Sequence, residues 1–226
     1  MELAKPRVDI GLATDRLPAM LAFWRDQAGA RFDHVLPIRR GLEQHRHDVN
    51  GSVLKINHGV DPLPDNPPSG YRELVIARKG PVRRIVDPHG VQVTLSPPDP
   101  AGTHQIGIVM AVRALSVHRQ FYAEALGFPE EPWERGAAFR AGESLIMLEE
   151  RADAPADAQM QGRGWRYITF QVFKCDETHA AVLAGGGREA MAPMTLGTTA
   201  RISMVRDPDG NWIELSQRAS IVGSLV

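Results

Sequence analysis

The sequence has 226 residues, which is enough for one large domain or two small ones, each with its own core. Apolar residues make up 43% of the chain and charged residues 23%, as is ordinary for a globular protein. The formal net charge is −1, so no basic excess points to nucleic acid or to an anionic membrane surface as a partner.

Cysteine usage and apolar run lengths indicate the compartment. The single cysteine, Cys175, cannot form an internal disulfide, which suits a reducing compartment. Residues 1–9 lack the apolar run of a signal peptide, and no run reaches the roughly 18 apolar residues that span a bilayer. We therefore expect a cytoplasmic protein without a membrane partner.

The first elements in chain order are predicted to be a strand and a helix. Residues 8–14 are mostly apolar and end at the turn-like pair Asp15-Arg16, which predicts a strand. Apolar residues then recur at helical spacing, and Gly29 follows where a helix C-terminal glycine belongs. The recurring residues are Leu17, Met20, Leu21 and Trp24.

Three irregular stretches separate the predicted elements. Residues 61–69 form a proline-rich loop, residues 96–102 are the best candidate linker between two halves, and residues 151–164 could cover a site. A later helix is predicted over residues 176–184, with Asp176 as its N-cap and the glycines from Gly185 as its stop signal.

The two halves repeat. The segment that begins at Asp9 superposes on the segment that begins at Gly107, at an offset of 98 residues. GYRELVIARKG (70–80) likewise matches GWRYITFQVFK (164–174), and DPHGVQVTL (87–95) matches DPDGNWIEL (207–215). Each copy reads as a strand, a helix and further strands, except that residues 78–82 are too few for a helix.

Two of these motifs resemble a known family. SMVRDPDGNWIEL (203–215) and RQFYAEALGF (119–128) resemble the closing hairpin and first helix of the vicinal oxygen chelate superfamily, which includes glyoxalases, bleomycin resistance proteins and extradiol dioxygenases. The resemblance implies an α+β fold of repeated βαβββ modules, forming two glyoxalase-like domains with curved, cup-shaped mixed β-sheets. We place an eroded N-terminal domain at 1–98 and a two-module C-terminal domain at 103–220. Members commonly pair modules across a dimer, so a homodimer is expected.

The resemblance also implies a metal site. Members usually bind a divalent ion such as Fe, Mn, Zn or Ni through His, Gln or Glu on the first and last strands of each module. In the second half only Glu214 is such a residue, because the other positions hold Gly107, Met147 and Tyr167. In the first half the positions hold Asp9, Lys55, Glu73 and Thr94. A lysine would repel a metal, so Asp9, Lys55 and Glu73 look more like a charge-balanced polar cluster.

A second candidate metal site lies in the run Gln44-His45-Arg46-His47-Asp48. His45 and His47 are two apart and would share one face of a strand, where Asp9 or His58 could supply a third ligand. The alternative is a polar hairpin exposed to water.

Three functions fit these residues. The first is an enzyme acting on a small oxygenated, aromatic or dicarbonyl substrate, with Glu214 as general base or surviving metal ligand, Lys55 neutralising developing negative charge, and Tyr167 donating a hydrogen bond. The substrate-binding residues would be Asp9, Asn57, Glu73, Trp165 and Trp212. The second is a metal-free small-molecule binding or resistance protein, and the third is a structural subunit.

Overall fold

In a computed structural model, which describes residues 1–99 and 102–225, the repeat is visible as successive strand-rich modules. Module 1 comprises β1 (Asp9–Ala13), α1 (Leu17–Ala22) with a π-helical turn (Phe23–Gln27), β2 (Arg31–Arg39), β3 (Leu42–Val49) and β4 (Ser52–Gly59). Module 2 comprises β5 (Tyr71–Ala77), β6 (Arg83–Val86) and β7 (Gln92–Ser96).

The second pair of modules is more complete. Module 3 comprises β8 (Ile106–Val112), α2 (Leu115–Gln120) with a π-helical turn (Phe121–Ala125), β9 (Glu130–Glu131), β10 (Ala137–Ala141) and β11 (Ser144–Glu150). Module 4 comprises β12 (Gly164–Gln171), α3 (Cys175–Ala184), β13 (Arg188–Leu196), β14 (Ala200–Arg206) and β15 (Trp212–Arg218), followed by α4 (Ala219–Val222). The helix predicted over 176–184 is confirmed, but Asp176 is not its N-cap, because the helix begins at Cys175 and Lys174 takes that position. No helix lies between β5 and β6, as expected from the short segment there.

The strands form two open, mixed sheets, which confirms the predicted α+β fold class. Sheet I has the order β13-β14-β15-β12-β1-β4-β3-β2, and sheet II has the order β6-β7-β5-β8-β11-β10-β9. Antiparallel pairing of β1 with β12 joins modules 1 and 4, and pairing of β5 with β8 joins modules 2 and 3. Each sheet therefore contains strands from both sides of the linker. The predicted halves 1–98 and 103–220 correspond to the two copies of the repeat, and neither half forms a sheet of its own.

One hydrophobic core lies against one face of each sheet. Its sheet members include Ile10, Leu54, Ile168 and Leu215 from sheet I and Leu74, Val93, Ile108 and Ile146 from sheet II. The helical segments add an edge-to-face aromatic pair each, Phe23 with Trp24 at 5.4 Å and Phe121 with Tyr122 at 5.3 Å. Since side chains alternate along a strand, the opposite face of each sheet is left for other uses. No helix among the described residues is long and apolar enough to cross a membrane.

The interleaved sheets predict that neither half is stable alone. Fragment 1–98 would expose the apolar strands β1 and β5, and fragment 103–226 would expose β8 and β12, in each case without the partner strand. Exposed apolar strands favour aggregation. We expect cooperative urea unfolding, followed by circular dichroism, only when the two fragments are co-expressed. Cooperative unfolding of either isolated fragment would contradict this.

Candidate functional site

The face of sheet I that points away from the core, here called the first cup, is polar, whereas the face that packs on the core is apolar. Directly paired residues on neighbouring strands project from the same face. The pairs Asp9–Thr169, Gly11–Tyr167, Gly11–Lys55, Arg46–Lys55, Gln44–Asn57 and Thr169–Glu214 therefore place all these side chains in one cup. Most of them are buried, although they are polar or charged.

The register reveals an internal symmetry. Asp9 pairs with Thr169 while Gly11 pairs with Tyr167, and Lys55 lies beside Gly11 as Glu214 lies beside Thr169. A pseudo-twofold axis between β1 and β12 therefore makes Asp9 equivalent to Tyr167 and Lys55 equivalent to Glu214. These are four of the eight positions at which the resemblance places metal ligands.

Lys55 and Glu214 meet at the centre of the first cup. The Lys55 ammonium donates to both carboxylate oxygens of Glu214 at 3.2 Å and to the hydroxyl of Thr169 at 2.7 Å. Burial lowers the pKa of Lys55, and the neighbouring Glu214 opposes that shift. The Lys55 side chain is 4% exposed and that of Glu214 is 12% exposed, so the carboxylate is the member of the pair that is open to the cup.

The predicted cluster of Asp9, Lys55 and Glu73 is wrong in its third member. Glu73 lies on β5 in sheet II, where it accepts a hydrogen bond from Thr94 at 2.6 Å. Asp9 is in the first cup, but it is held by Lys5 at 2.7 Å and by the backbone N–H of Val53 at 2.8 Å. The partner of Lys55 therefore comes from module 4, and the two halves share one site.

Tyr167 lies over this ion pair. A Cβ atom on Gly11 would approach the Tyr167 ring to 2.1 Å, so the glycine makes room for the ring. The Lys55 ammonium is 5.3 Å from the ring centroid, within the range of a cation–π contact. Burial, followed by the nearby Glu214 charge, raises the pKa of Tyr167, which keeps its hydroxyl protonated and able to donate.

A chain of hydrogen bonds orients that hydroxyl. Arg46 donates to the Gln44 side-chain oxygen at 2.6 Å, Gln44 donates to the Asn57 oxygen at 2.9 Å, and Asn57 donates to the Tyr167 hydroxyl at 3.3 Å. Because the hydroxyl already accepts from Asn57, its own proton is directed elsewhere.

The sequence analysis missed Gln44 and Arg46 and selected the neighbouring histidines, His45 and His47. His45 and His47 pair with Ile56 and Leu54, on the face opposite Lys55. Burial lowers the pKa of both histidines. The signal was present, because Asn50-Gly51 is a two-residue hairpin turn that fixes the register of β3 against β4.

The donor set does not fit a divalent ion. Asp9 lies on the other face of the sheet from His45 and His47, so it cannot be their third ligand. His58 is occupied by the Thr14 carbonyl at 2.9 Å. In the first cup, Lys55 occupies one ligand position itself, and its ammonium contacts the carboxylate at another, Glu214. Across the described ranges 1–99 and 102–225, no group of three His, Cys, Asp or Glu residues is arranged to hold a metal.

A cavity of about 290 Å³ opens at the mouth of the first cup. Its floor includes Asn57 and Tyr167, and its walls come from the irregular stretches at 61–64 and 160–161, which were predicted as loops. The Arg166 guanidinium fastens both stretches by donating to the carbonyls of Pro67 at 2.8 Å and Gln159 at 3.4 Å. Of the stretch 151–164, which was expected to cover a site, Met160 and Gln161 line this cavity.

The two tryptophans predicted to bind substrate differ in placement. Trp212 is half-buried, donates to the Ala158 carbonyl at 2.7 Å and carries the Arg206 guanidinium 4.3 Å from its ring. A substrate-binding Trp165 would have to face the cup beside Tyr167, two residues along the strand, but it does not. A bulge shifts the register so that Trp165 pairs with Leu12, and its ring stacks on Tyr71 at 5.2 Å within the core.

The first cup carries positive charge that its own carboxylates do not neutralise. Asp9 is paired with Lys5, and Glu214 with Lys55. Burial, followed by the nearby Arg218 charge, lowers the pKa of Arg46, and the charges of Asp9 and Glu214 only partly oppose that shift. The buried Nε of Arg218 has no hydrogen-bond partner among the described residues. The arrangement therefore favours an anionic ligand.

Comparison with solved structures identifies the fold. Glyoxalase I from Zea mays superposes with a TM-score of 0.72 at 12% identity, over 96% of this chain and 95% of that chain. A mutant of that enzyme gives a TM-score of 0.76 at 13% identity, over 97% of both chains. A candidate dioxygenase from Bacillus subtilis gives 0.68 at 11% identity, over 93% of this chain and 84% of that chain. At these identities the likeness shows the fold alone.

The family assignment comes from the sequence itself. No curated protein matches the chain. A family profile, by contrast, matches residues 102–215, which are just over half of the 226 residues. The chain belongs to the Glyoxalase/Bleomycin resistance protein/Dioxygenase superfamily.

Proposed function

We propose that the protein is an enzyme that transfers a proton next to a carbonyl group of a small, anionic, oxygenated substrate, of the aromatic or dicarbonyl kind. In this proposal the Lys55 ammonium supplies the fixed positive charge for which other members of the superfamily use a divalent metal. The observation that carries it is the position of Lys55, which is equivalent to Glu214 across the pseudo-twofold axis and contacts both oxygens of that carboxylate.

Each group in the first cup has a role in such a step. Glu214 takes the proton from the carbon next to the carbonyl, and the bonding electron pair moves onto the carbonyl oxygen as an enolate. Tyr167 donates its hydroxyl proton as a hydrogen bond to that oxygen, and the Lys55 charge stabilises it in a site of low dielectric. Return of the proton from Glu214 to the same carbon gives exchange alone. Where a carbon–carbon double bond is conjugated with the enolate, return of the proton to the far carbon of that bond shifts the double bond and completes an isomerisation without an outside oxidant.

Substrate binding follows from the charge and shape of the cup. Arg46 and Arg218 attract a carboxylate or another anionic group. Asn57 lines the cavity beside Tyr167, and Trp212 pairs with Tyr167 on the neighbouring strand. Asp9 is held by Lys5, Val53 and Gln171, which supports a positioning role for its strand rather than direct substrate contact.

A second candidate function is metal-free binding without turnover. It is favoured by the burial of the ion pair beneath the Tyr167 ring, since Lys55 has only 4% of its side chain exposed. A resistance or sequestering protein would need the cup and its walls but no proton transfer.

A homodimer remains part of the proposal. It is supported by exposed apolar side chains on the edge strand β2, which are Phe32, Val35 and Ile38. Both sheets are complete within one chain, so neither cup needs a second copy.

Metal content tests the role given to Lys55. Wild-type protein purified without chelator should contain no stoichiometric Fe, Mn, Zn or Ni by elemental analysis. Lys55→Glu places a second carboxylate opposite Glu214 and should bind about one Zn²⁺ or Ni²⁺ per chain in calorimetric titration, because the repelling charge becomes a ligand. Lys55→Gln is the matched control and should gain no metal. A stoichiometric metal in the wild type that Glu214→Gln removes would overturn the role of Lys55.

Turnover tests the role of Glu214. Carboxylated dicarbonyl and aromatic keto compounds are screened first by thermal shift and then for proton exchange with deuterated water by NMR. Glu214→Gln should lower the exchange rate at least about 100-fold, and Tyr167→Phe should lower it by about 10- to 100-fold. Glu177→Gln, an exposed residue paired with Lys174, is the control and should leave the rate unchanged.

The outcome also separates the two candidate functions. A ligand that raises the melting temperature of the wild type without any exchange would favour the binding protein. Exchange that proceeds unaltered in Glu214→Gln would remove this carboxylate from the mechanism.

A further inference from the structure

Sheet II carries a second cup, and its chemistry differs from that of the first. The face of sheet II that points away from the core holds a separate apolar cluster of Val109, Ala138, Leu145 and Met147, with Val75 and Trp133 packed against it. A cavity of about 340 Å³ lies over this cluster. That volume is within the range of small-molecule sites.

The second cup is apolar because of the residues at its symmetry-related positions. Val75 pairs with Gly107 and with Thr94, and Val109 pairs with Glu73 and with Met147. Glu73 and Gly107 therefore correspond to each other, as do Thr94 and Met147. A Cβ atom on Gly107 would lie 2.5 Å from the Met147 methyl group, so this methionine fills the space over the glycine.

One carboxylate stands on this apolar floor. Glu73 accepts a hydrogen bond from the Thr94 hydroxyl at 2.6 Å, which uses one of its oxygens. Within the described part of the chain, no Lys, Arg or His nitrogen lies within 4 Å of the Glu73 carboxylate, since none of the ion pairs includes it. Its charge is therefore not neutralised locally, although it is half-buried.

The wall adds a second carboxylate. Glu134 lines the same cavity. The one arginine that lines it, Arg135, is engaged by Glu149 at 2.9 Å and stacks 5.1 Å from the Trp133 ring. Arg84 projects from the same face beside Thr94 but does not line the cavity. The second cup thus combines an aromatic wall and an apolar floor with two carboxylates, Glu73 and Glu134, that form no ion pair among the described residues, where the first cup has an excess of cations.

From this complementarity we infer that the second cup is a separate binding site for an organic cation, namely an amine with an aryl or alkyl body. The ammonium group contacts the free oxygen of Glu73, and the apolar body packs on Met147, Val109 and the Trp133 ring. The inference does not rest on the activity proposed for the first cup, because it uses none of that cup's residues.

Three probes that share a phenylethyl group and differ in the charge of their polar group test the inference. 2-Phenylethylamine, 2-phenylethanol and 3-phenylpropionate are titrated into the full chain by calorimetry and by tryptophan fluorescence. The amine should bind at least about tenfold more tightly than the alcohol, because only the amine forms a charge-assisted hydrogen bond with Glu73. The propionate should displace the amine from the Trp133 fluorescence signal more weakly than the alcohol does; its binding is followed by this signal and not by total heat, because the first cup favours anions. Trp133→Phe should remove the fluorescence change.

Matched glutamine variants locate the site. Glu73→Gln keeps the acceptor for Thr94 and the side-chain volume, so its melting temperature should equal that of the wild type while the preference for amine over alcohol disappears. Glu214→Gln, in the first cup, should leave amine binding unchanged. Equal affinity of the wild type for amine and alcohol, binding of none of the probes, or loss of amine binding in Glu214→Gln but not in Glu73→Gln would each overturn the inference.

Discussion

The antiparallel pairing of β1 with β12 sets the geometry on which both the fold and the first cup depend. It brings the first and last modules of the chain into one sheet, with their last strands β4 and β15 on either side of the central pair. Lys55 and Glu214 reach towards each other across these central strands, over Gly11 and Thr169. A side chain at Gly11 would displace the Tyr167 ring that covers them. The site is thus a property of strand register, with contributions from residues 159 positions apart in the chain.

A buried lysine is a costly replacement for a metal ion, and the structure indicates what offsets the cost. Removing an ammonium and a carboxylate from water is repaid only when they are paired and fully hydrogen-bonded. Lys55 meets this condition through Glu214 and Thr169 and gains the face of the Tyr167 ring. In exchange, the cup holds a positive charge that cannot dissociate. The lysine carries one unit of charge where a divalent ion carries two, and it offers no open coordination position to a substrate.

Much of the fold could be predicted from the sequence, because the repeat, the Asp-Pro-X-Gly turns and the alternating strands are local signals. Glu214 and Lys55 were found because each occupies a position at which the resemblance places a metal ligand. Their contact could not be found, since strand pairing between distant modules leaves no local trace. Trp165 was misplaced because a bulge shifts the register of β12 against β1. Gln44 and Arg46 were overlooked in favour of His45 and His47, although the Asn50-Gly51 turn already decided which pair faces Lys55.

The two cups show how one repeat can yield sites of opposite character through changes at a few symmetry-related positions. In sheet I those positions hold Asp9, Lys55, Tyr167 and Glu214, and the cup is polar with cations in excess. In sheet II they hold Glu73, Thr94, Gly107 and Met147, and the cup is apolar with an unneutralised carboxylate. Both sheets keep apolar side chains on the face that points to the core, because those side chains form one shared core. The backbone symmetry is therefore maintained by packing on one face, which leaves the other face of each sheet free to change its charge independently.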